Sequence, residues 1–168
     1  KHEPKCAVEI GTSKCGVTFL LSHVLRSLSL VVGVDLFVRN GFLLHYFSVP
    51  KQRVKFINGS SYAVSSVKKV KNILGGKEID ILFVTHGHVD HLGRIPKLIK
   101  EGFRGKIYST EPTKGLAEPM LEDTAGILSK NTDLGLDKIY TEENIKLALS
   151  LWQGFNYHQT IKITENLE

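Results

Sequence analysis

Three histidines and an aspartate fall within six consecutive positions, His86-Gly87-His88-Val89-Asp90-His91. Neutral imidazole and carboxylate are suitable zinc ligands, and three or four protein ligands with an open position mark a catalytic rather than a structural site. A chance run of this kind arises on the order of once in a few thousand chains of such composition. In extended backbone, residues two apart face the same way, so His86 and His88 can hold one ion together. Asp90 and His91 lie where the chain turns into a helix and can address a second ion on the other side of the loop, while Gly87 keeps the crowded turn free of a side chain. Two ions about 3.5 to 4 Å apart can hold a hydroxide between them and stabilise the oxygens of an in-line displacement at phosphorus. The competing reading packs three imidazoles and a carboxylate into a turn without metal, which is costly. His2, His23, His45 and His158 are scattered and read as surface or hydrogen-bonded core residues.

Positioning such a loop takes a strand before it and a helix after it. Ile79 to Val84 is apolar apart from Asp80 and reads as a buried strand delivering Thr85-His86. From His91, Leu92, Ile95, Leu98 and Ile99 share one face, predicting a helix that stops at Gly102. Lys106 to Ser109 reads as another strand. Thr113 to Leu128 reads as a helix with Leu116, Ala117, Met120 and Leu121 inward, kinked or divided by Pro119. Thr141 caps a further helix running through Trp152, with Glu142 and Glu143 in its first turn and Gly154 as its stop; Thr160 to Thr164 alternates like a strand. Upstream, Gly16 to Phe47 reads as several buried strands joined by turns such as Arg39-Asn40-Gly41. Ser65 to Leu74, with Val67, Val70, Ile73 and Leu74 apolar, reads as a short amphipathic helix ending at Gly75. Strands alternating with helices give an α/β protein.

The 168 residues suit one ordinary domain, and 42% hydrophobic with 23% charged residues excludes a disordered, collagenous or disulfide-scaffold chain. Charges at Lys14, Arg26, Asp35 and Arg39 interrupt the apolar stretches near the start, so no membrane-spanning helix and no membrane partner is expected. The first residue is Lys and no secretory signal is legible. Cys6 and Cys15 lack a CxxC spacing and read as free thiols of a reducing, cytoplasmic compartment. The net charge of +5, with clusters at Lys51, Arg53, Lys55 and at Lys68, Lys69, Lys71, permits a polyanionic partner, although a solvated basic face accounts for it equally simply.

The run from His86 to His91 followed by Leu92-Gly93-Arg94-Ile95-Pro96-Lys97-Leu98 resembles the second motif of the metallo-β-lactamase superfamily. Lys100-Glu101-Gly102-Phe103-Arg104-Gly105-Lys106-Ile107-Tyr108-Ser109-Thr110 is similar to its β-CASP, RNA-processing branch, as are Leu121 to Ala125 and Ile139 to Asn144. The resemblance covers about residues 78 to 168. It implies an α/β fold of the αββα sandwich type, present here as an amino-terminal portion in which residues 1–75 are divergent and 76–168 form the metal-motif region. It implies two zinc ions in the complete site, His86 and His88 on one, Asp90 and His91 on the other, with Asp90 also orienting the attacking water. It further implies an aspartate at an apolar strand end, a place Asp35 could fill although the usual Asp-Cys-Gly or Asp-Ala-Gly context is absent. The later histidines and bridging aspartate of the family, and the insert that walls its RNA cleft, have no counterpart in this sequence, which reads as a fragment of a longer enzyme.

The expectation is a zinc-dependent hydrolase, an RNA-cleaving nuclease by resemblance, with Lys97, Lys100, Arg104 and Lys106 available to phosphate. Two alternatives stand beside it: a hydrolase of the same fold acting on a thioester or other small substrate, since the motif does not choose the substrate, and a truncated, catalytically silent domain that binds RNA or a partner. Association of copies into a homo-oligomer stays open.

Overall fold

The computed structural model describes residues 3–47, 49–61, 63–130 and 139–163. They form two compact units, the first reaching to Glu78 with the segment from Thr160 onward, the second running from Ile79 to Gln159. His2, the His45 side chain and Thr164 lie outside the described residues.

The first unit alternates strand and helix: β1 (Cys6–Ile10), α1 (Gly16–Val24), β2 (Leu30–Asp35), α2 (Gly41–Phe47), β3 (Arg53–Asn58) and α3 (Val64–Leu74). The strands pair in parallel in the order β1-β2-β3, Cys6 opposite Leu30 and Leu30 opposite Arg53. β2 is central and its apolar run is covered on both faces, as expected of a parallel strand. Val31 packs with Leu28, Leu44 and Val54 on one side, while Leu30, Val32 and Val34 pack with Ile57 and Leu74 on the other.

The strands expected over Gly16 to Phe47 are therefore only one strand, between two helices. Short apolar runs do not distinguish the two states, and α1 hides its period further because its inward positions are polar. Thr18 and Ser22 are buried, while Val17, Leu20 and Val24 are more than half exposed. Thr18 donates to the Glu9 carboxylate and Ser22 to the Phe19 carbonyl at 2.7 Å, so neither hydroxyl is left unsatisfied. α3 repeats the device: Ser66 is buried and Val67, expected inward, is exposed, and Ser66 Oγ lies so close to Gly59 that a Cβ there would meet it at 2.6 Å. Gly75, at φ 59, ends α3 as expected.

The second unit contains β4 (Ile81–Phe83), α4 (Val89–Leu92), α5 (Ile95–Lys100), β5 (Lys106–Thr110), α6 (Glu111–Ser129), α7 (Glu142–Leu151) and β6 (Trp152–Phe155). Its parallel sheet has the order β4-β5-β6, with Ile81 opposite Lys106 and Ile107 opposite Trp152. The core gathers Leu92, Ile95 and Ile99, Ala117 and Leu121 of α6, Ile145 and Ala148 of α7, and the strand residues Ile107 and Trp152. Burying a side chain such as Ile107 contributes about 1.5–3 kcal/mol.

Four expectations change from here to the end of the described chain. The helix after the histidine loop is broken at Gly93-Arg94, because Pro96 has no N–H to return to the Leu92 carbonyl. Leu98 is half-exposed as a result, while Leu92, Ile95 and Ile99 stay inward. Pro119 sits inside a single α6 without dividing it. Trp152 and Gly154 belong to β6, not to a helix and its stop: the Trp152 indole donates to Ser109 Oγ at 2.8 Å, and a side chain at Gly154 would run into Glu111. Thr160 to Lys162 form no strand. The Thr141 cap holds, with its backbone N–H donating to Asn144 Oδ1 at 3.0 Å.

The glycines of this unit make opposite predictions. A Cβ at Gly105 would overlap the backbone carbonyl of Asp80, which is already bonded to the Lys106 N–H. Gly105→Ala is expected to lower the denaturant midpoint, at a cost of about 1–3 kcal/mol. Gly115, inside α6, has open space at the same position, so Gly115→Ala is expected to raise the midpoint by about 0.5–1 kcal/mol of stability. Chemical denaturation of both variants checks the pair.

Candidate metal centre

The histidine loop is held at both ends by buried residues. At its start the Val84 N–H donates to the Tyr108 carbonyl at 2.9 Å, extending the β4–β5 ladder, and Val84 is buried. At its end Leu92 is fully buried. Between them the chain is extended to His88, whose φ of −74° and ψ of 143° place it as the residue before α4; its carbonyl accepts from the N–H groups of His91 and Leu92.

His86 and His88 meet, with His86 Nε2 and His88 Nδ1 3.1 Å apart. Two zinc–nitrogen bonds of about 2.0–2.1 Å at a tetrahedral angle put their nitrogens about 3.3 Å apart, so the pair is spaced to share an ion. The same approach is within imidazole–imidazole hydrogen-bond distance. Thr85 Oγ1 lies 2.9 Å from His86 Nδ1, which orients the ring from behind and turns Nε2 toward His88, as a partner on the second nitrogen does for a ligating histidine. Partial desolvation, then the His91 and His88 rings, push the His86 pKa below its ordinary value, against a smaller opposing pull from Asp90.

His91 is placed differently from expectation. Its ring lies 4.0 Å from that of His86, so the imidazoles crowd together rather than facing opposite sides of the loop. Asp90 Oδ2 is 3.8 Å from His91 Nε2 and largely exposed. Among the described residues no group of three or more His, Cys, Asp or Glu side chains is arranged to encage one ion. The donor chemistry and the His86–His88 spacing fit zinc as part of a site, with Asp90 and His91 adjoining it.

Gly87 has a neighbour that the sequence did not disclose. A Cβ there would lie 3.1 Å from Leu116 Cδ1. Leu116, expected inward on α6, is half-exposed because it covers this loop instead. The basic candidates also move. Lys97 is paired with Glu101 at 3.0 Å, and the Arg104 guanidinium donates to the carbonyls of Ile99 and Phe103 at 2.7 Å each. Lys106 is opposite Ile81, at the start of the parallel strands, whereas the histidines follow their carboxyl ends. The cations placed at the carboxyl end are Arg94, just before α5, and Lys114, in the first turn of α6 directly after β5.

Asp35 is in the first unit, at the end of β2. Its carboxylate accepts from the backbone N–H groups of Ser13 and Phe37, each at 2.9 Å, and these bonds hold its pKa below the usual range. Both cysteines are free, and Cys15 Sγ donates to the Arg39 carbonyl at 3.1 Å. Among the described residues no helix is long and apolar enough to cross a membrane.

Comparison with known proteins agrees with the loop. Residues 65–146 match the model of the metallo-beta-lactamase superfamily. The chain is 33% identical over 87 residues to ribonuclease TTHA0252 of Thermus thermophilus, covering 52% of this chain and 19% of that protein. It is 32% identical over 122 residues to transcription termination factor FttA of Methanococcus maripaludis, covering 70% and 19%. With an Integrator complex subunit 11 homolog of Dictyostelium discoideum it shares 37% identity over 92 residues, covering 54% and 12%. The chain thus spans less than a fifth of the length of these relatives. Residues 65–146, which contain the His86 to His91 loop, are thus similar to the metallo-beta-lactamase superfamily, and the relatives matched include its β-CASP RNA-processing nucleases.

Proposed function

We propose that this chain carries part of the metal centre of a zinc-dependent nuclease that cleaves RNA phosphodiester bonds. The observation that carries the reading is the His86–His88 pair, 3.1 Å apart and oriented from behind by Thr85. The substrate class comes from the relatives, one of which is named a ribonuclease. His86 and His88 would hold one ion, and Asp90 and His91 a second. Bound zinc supplies Lewis acidity and lowers the pKa of a coordinated water toward neutrality. Asp90, an acceptor on the exposed side of the loop, orients the water and receives its proton. Leu116 limits the turn on one side, 3.1 Å from where a Cβ on Gly87 would lie. Lys114 and Arg94 are placed to meet phosphate.

Calorimetric titration of the chain with zinc is expected to show uptake of fewer than two ions, lost in the His86→Ala/His88→Ala double variant with the circular dichroism spectrum retained. In the complete gene product the same double variant is expected to abolish cleavage of labelled RNA, while a thioester substrate is untouched by either form. Undiminished RNA cleavage by the double variant overturns the site assignment, and preferential thioester turnover overturns the substrate class.

The Gly87–Leu116 contact makes a second test. Gly87→Val is expected to weaken zinc uptake about tenfold by spreading the rings, and Leu116→Ala in the same chain to recover part of the loss, a coupling that separated residues would not show. Lys114→Ala is expected to weaken RNA binding and to reduce the salt slope by about 1, whereas Lys106→Ala leaves both unchanged.

A further inference from the structure

The family match begins at residue 65, so β1 through β3 lie outside it. This unit has an architecture of its own. Three parallel strands in the order β1-β2-β3 carry helices on both faces, and in such sheets ligands bind over the carboxyl ends of the strands. At those ends the β1–α1 turn, Gly11-Thr12-Ser13-Lys14-Cys15-Gly16, crosses toward the end of β2. Gly11 has a φ of 86°, Thr12 is buried against Gly33 of β2, and open space surrounds the Cβ position of Gly16. The turn is tied to the β2–α2 loop by the Ser13 N–H on Asp35 and the Arg39 N–H on the Ser13 carbonyl, 2.9 and 2.8 Å.

Beside these two loops, between the first turns of α1 and α2, is a cavity of about 350 Å³, within the range of small-molecule sites. Phe19, Leu43 and Leu44 make it largely apolar, and Lys14, Cys15, Gly16 and Asn40 complete its wall. Asp35 follows the glycine turn at the end of the next strand, the place from which an acidic side chain in a βαβ unit reaches ribose hydroxyls. Backbone amides hold its carboxylate in one orientation, and a carboxylate, with about four acceptor sites, can still accept from a hydroxyl.

The same residues argue against a phosphorylated ligand. A phosphate-cradling turn of this length places lysine after its second glycine, where this chain has Val17. Glu9 near the end of β1 and Asp35 at the end of β2 put two carboxylates at this edge, opposed by Arg39 near Asp35 and by Lys14, the one basic residue of the turn, in the cavity wall. Without a lysine after the second glycine a di- or triphosphate lacks its cradle, whereas a ligand that needs an acceptor for its hydroxyls finds one in Asp35.

We propose that the first unit binds a nucleoside-type ligand with a free ribose diol and an uncharged or cationic, unphosphorylated 5′ substituent, Asp35 accepting from the diol and the Phe19–Leu43–Leu44 wall receiving the base. The site uses no residue of the metal loop, so it stands or falls separately from the nuclease reading.

Isothermal titration of the full chain in chelator-treated buffer would compare S-adenosylmethionine, which has the diol and a sulfonium, with adenosine, ATP and NAD. S-adenosylmethionine or adenosine is expected to bind in the micromolar range, at least tenfold tighter than ATP or NAD. Asp35→Asn is expected to weaken that binding about tenfold or more, the scale of one hydrogen bond to a charged group. Because Asp35 also ties two loops together, Gly16→Leu gives an independent check: its side chain enters open space, so the fold is kept and the ligand is excluded. His86→Ala/His88→Ala is expected to leave nucleoside binding unchanged. Absence of nucleoside binding below millimolar concentration, a preference for ATP or NAD, or full binding by Gly16→Leu would each overturn the proposal.

Discussion

The hydrogen bond from the Val84 N–H to the Tyr108 carbonyl is the constraint on which the metal loop depends. It is the final bond between β4 and β5, and it fixes where ordered strand gives way to loop. Eight residues later Leu92 is buried without remaining exposure, anchoring the other end in the core. With both ends fixed by burial, the intervening imidazoles have little freedom to separate, and the cost of crowding polar rings is met by the stability of the packing on either side. Loosening either anchor would release the loop without changing one of its polar residues.

Both units place their chemistry on the same kind of ground. In each, a three-stranded parallel sheet ends in loops at its carboxyl edge, and the polar residues of interest sit there: the histidines after β4, Asp35 and the glycine turn after β2 and β1. Parallel strands need crossover helices, so every strand end is followed by a loop on the same side of the sheet, and loops on a rigid frame are where binding groups collect. That rule also explains why Lys106 is poorly placed for phosphate, since it begins a strand whose other end adjoins the site.

Small polar residues turned inward recur as a packing device. Thr18, Ser22 and Ser66 occupy positions where the helix must approach the sheet or a glycine closely, and the Thr18 and Ser22 hydroxyls have partners within reach. The arrangement leaves Val17, Leu20, Val24 and Val67 on the outside, an inversion of the usual amphipathic pattern. It is the reason periodicity failed over α1 while it succeeded for the position and end of α3.

What the amino-acid order determined by itself was local: the six-residue ligand run, the apolar strand before it, the glycine that closes α3, and the capped start of α7. Each depends on neighbours in the chain, through backbone period, conformational freedom at glycine, or a side chain reaching its own backbone. What only the tertiary structure decided was which distant groups meet. Leu116 over Gly87, Glu111 against Gly154, Ser109 under Trp152 and Ser13 on Asp35 join residues far apart in sequence. No period or motif encodes such pairs, because they follow from strand order and helix placement, which are set by the summed burial of the whole unit rather than by any local preference.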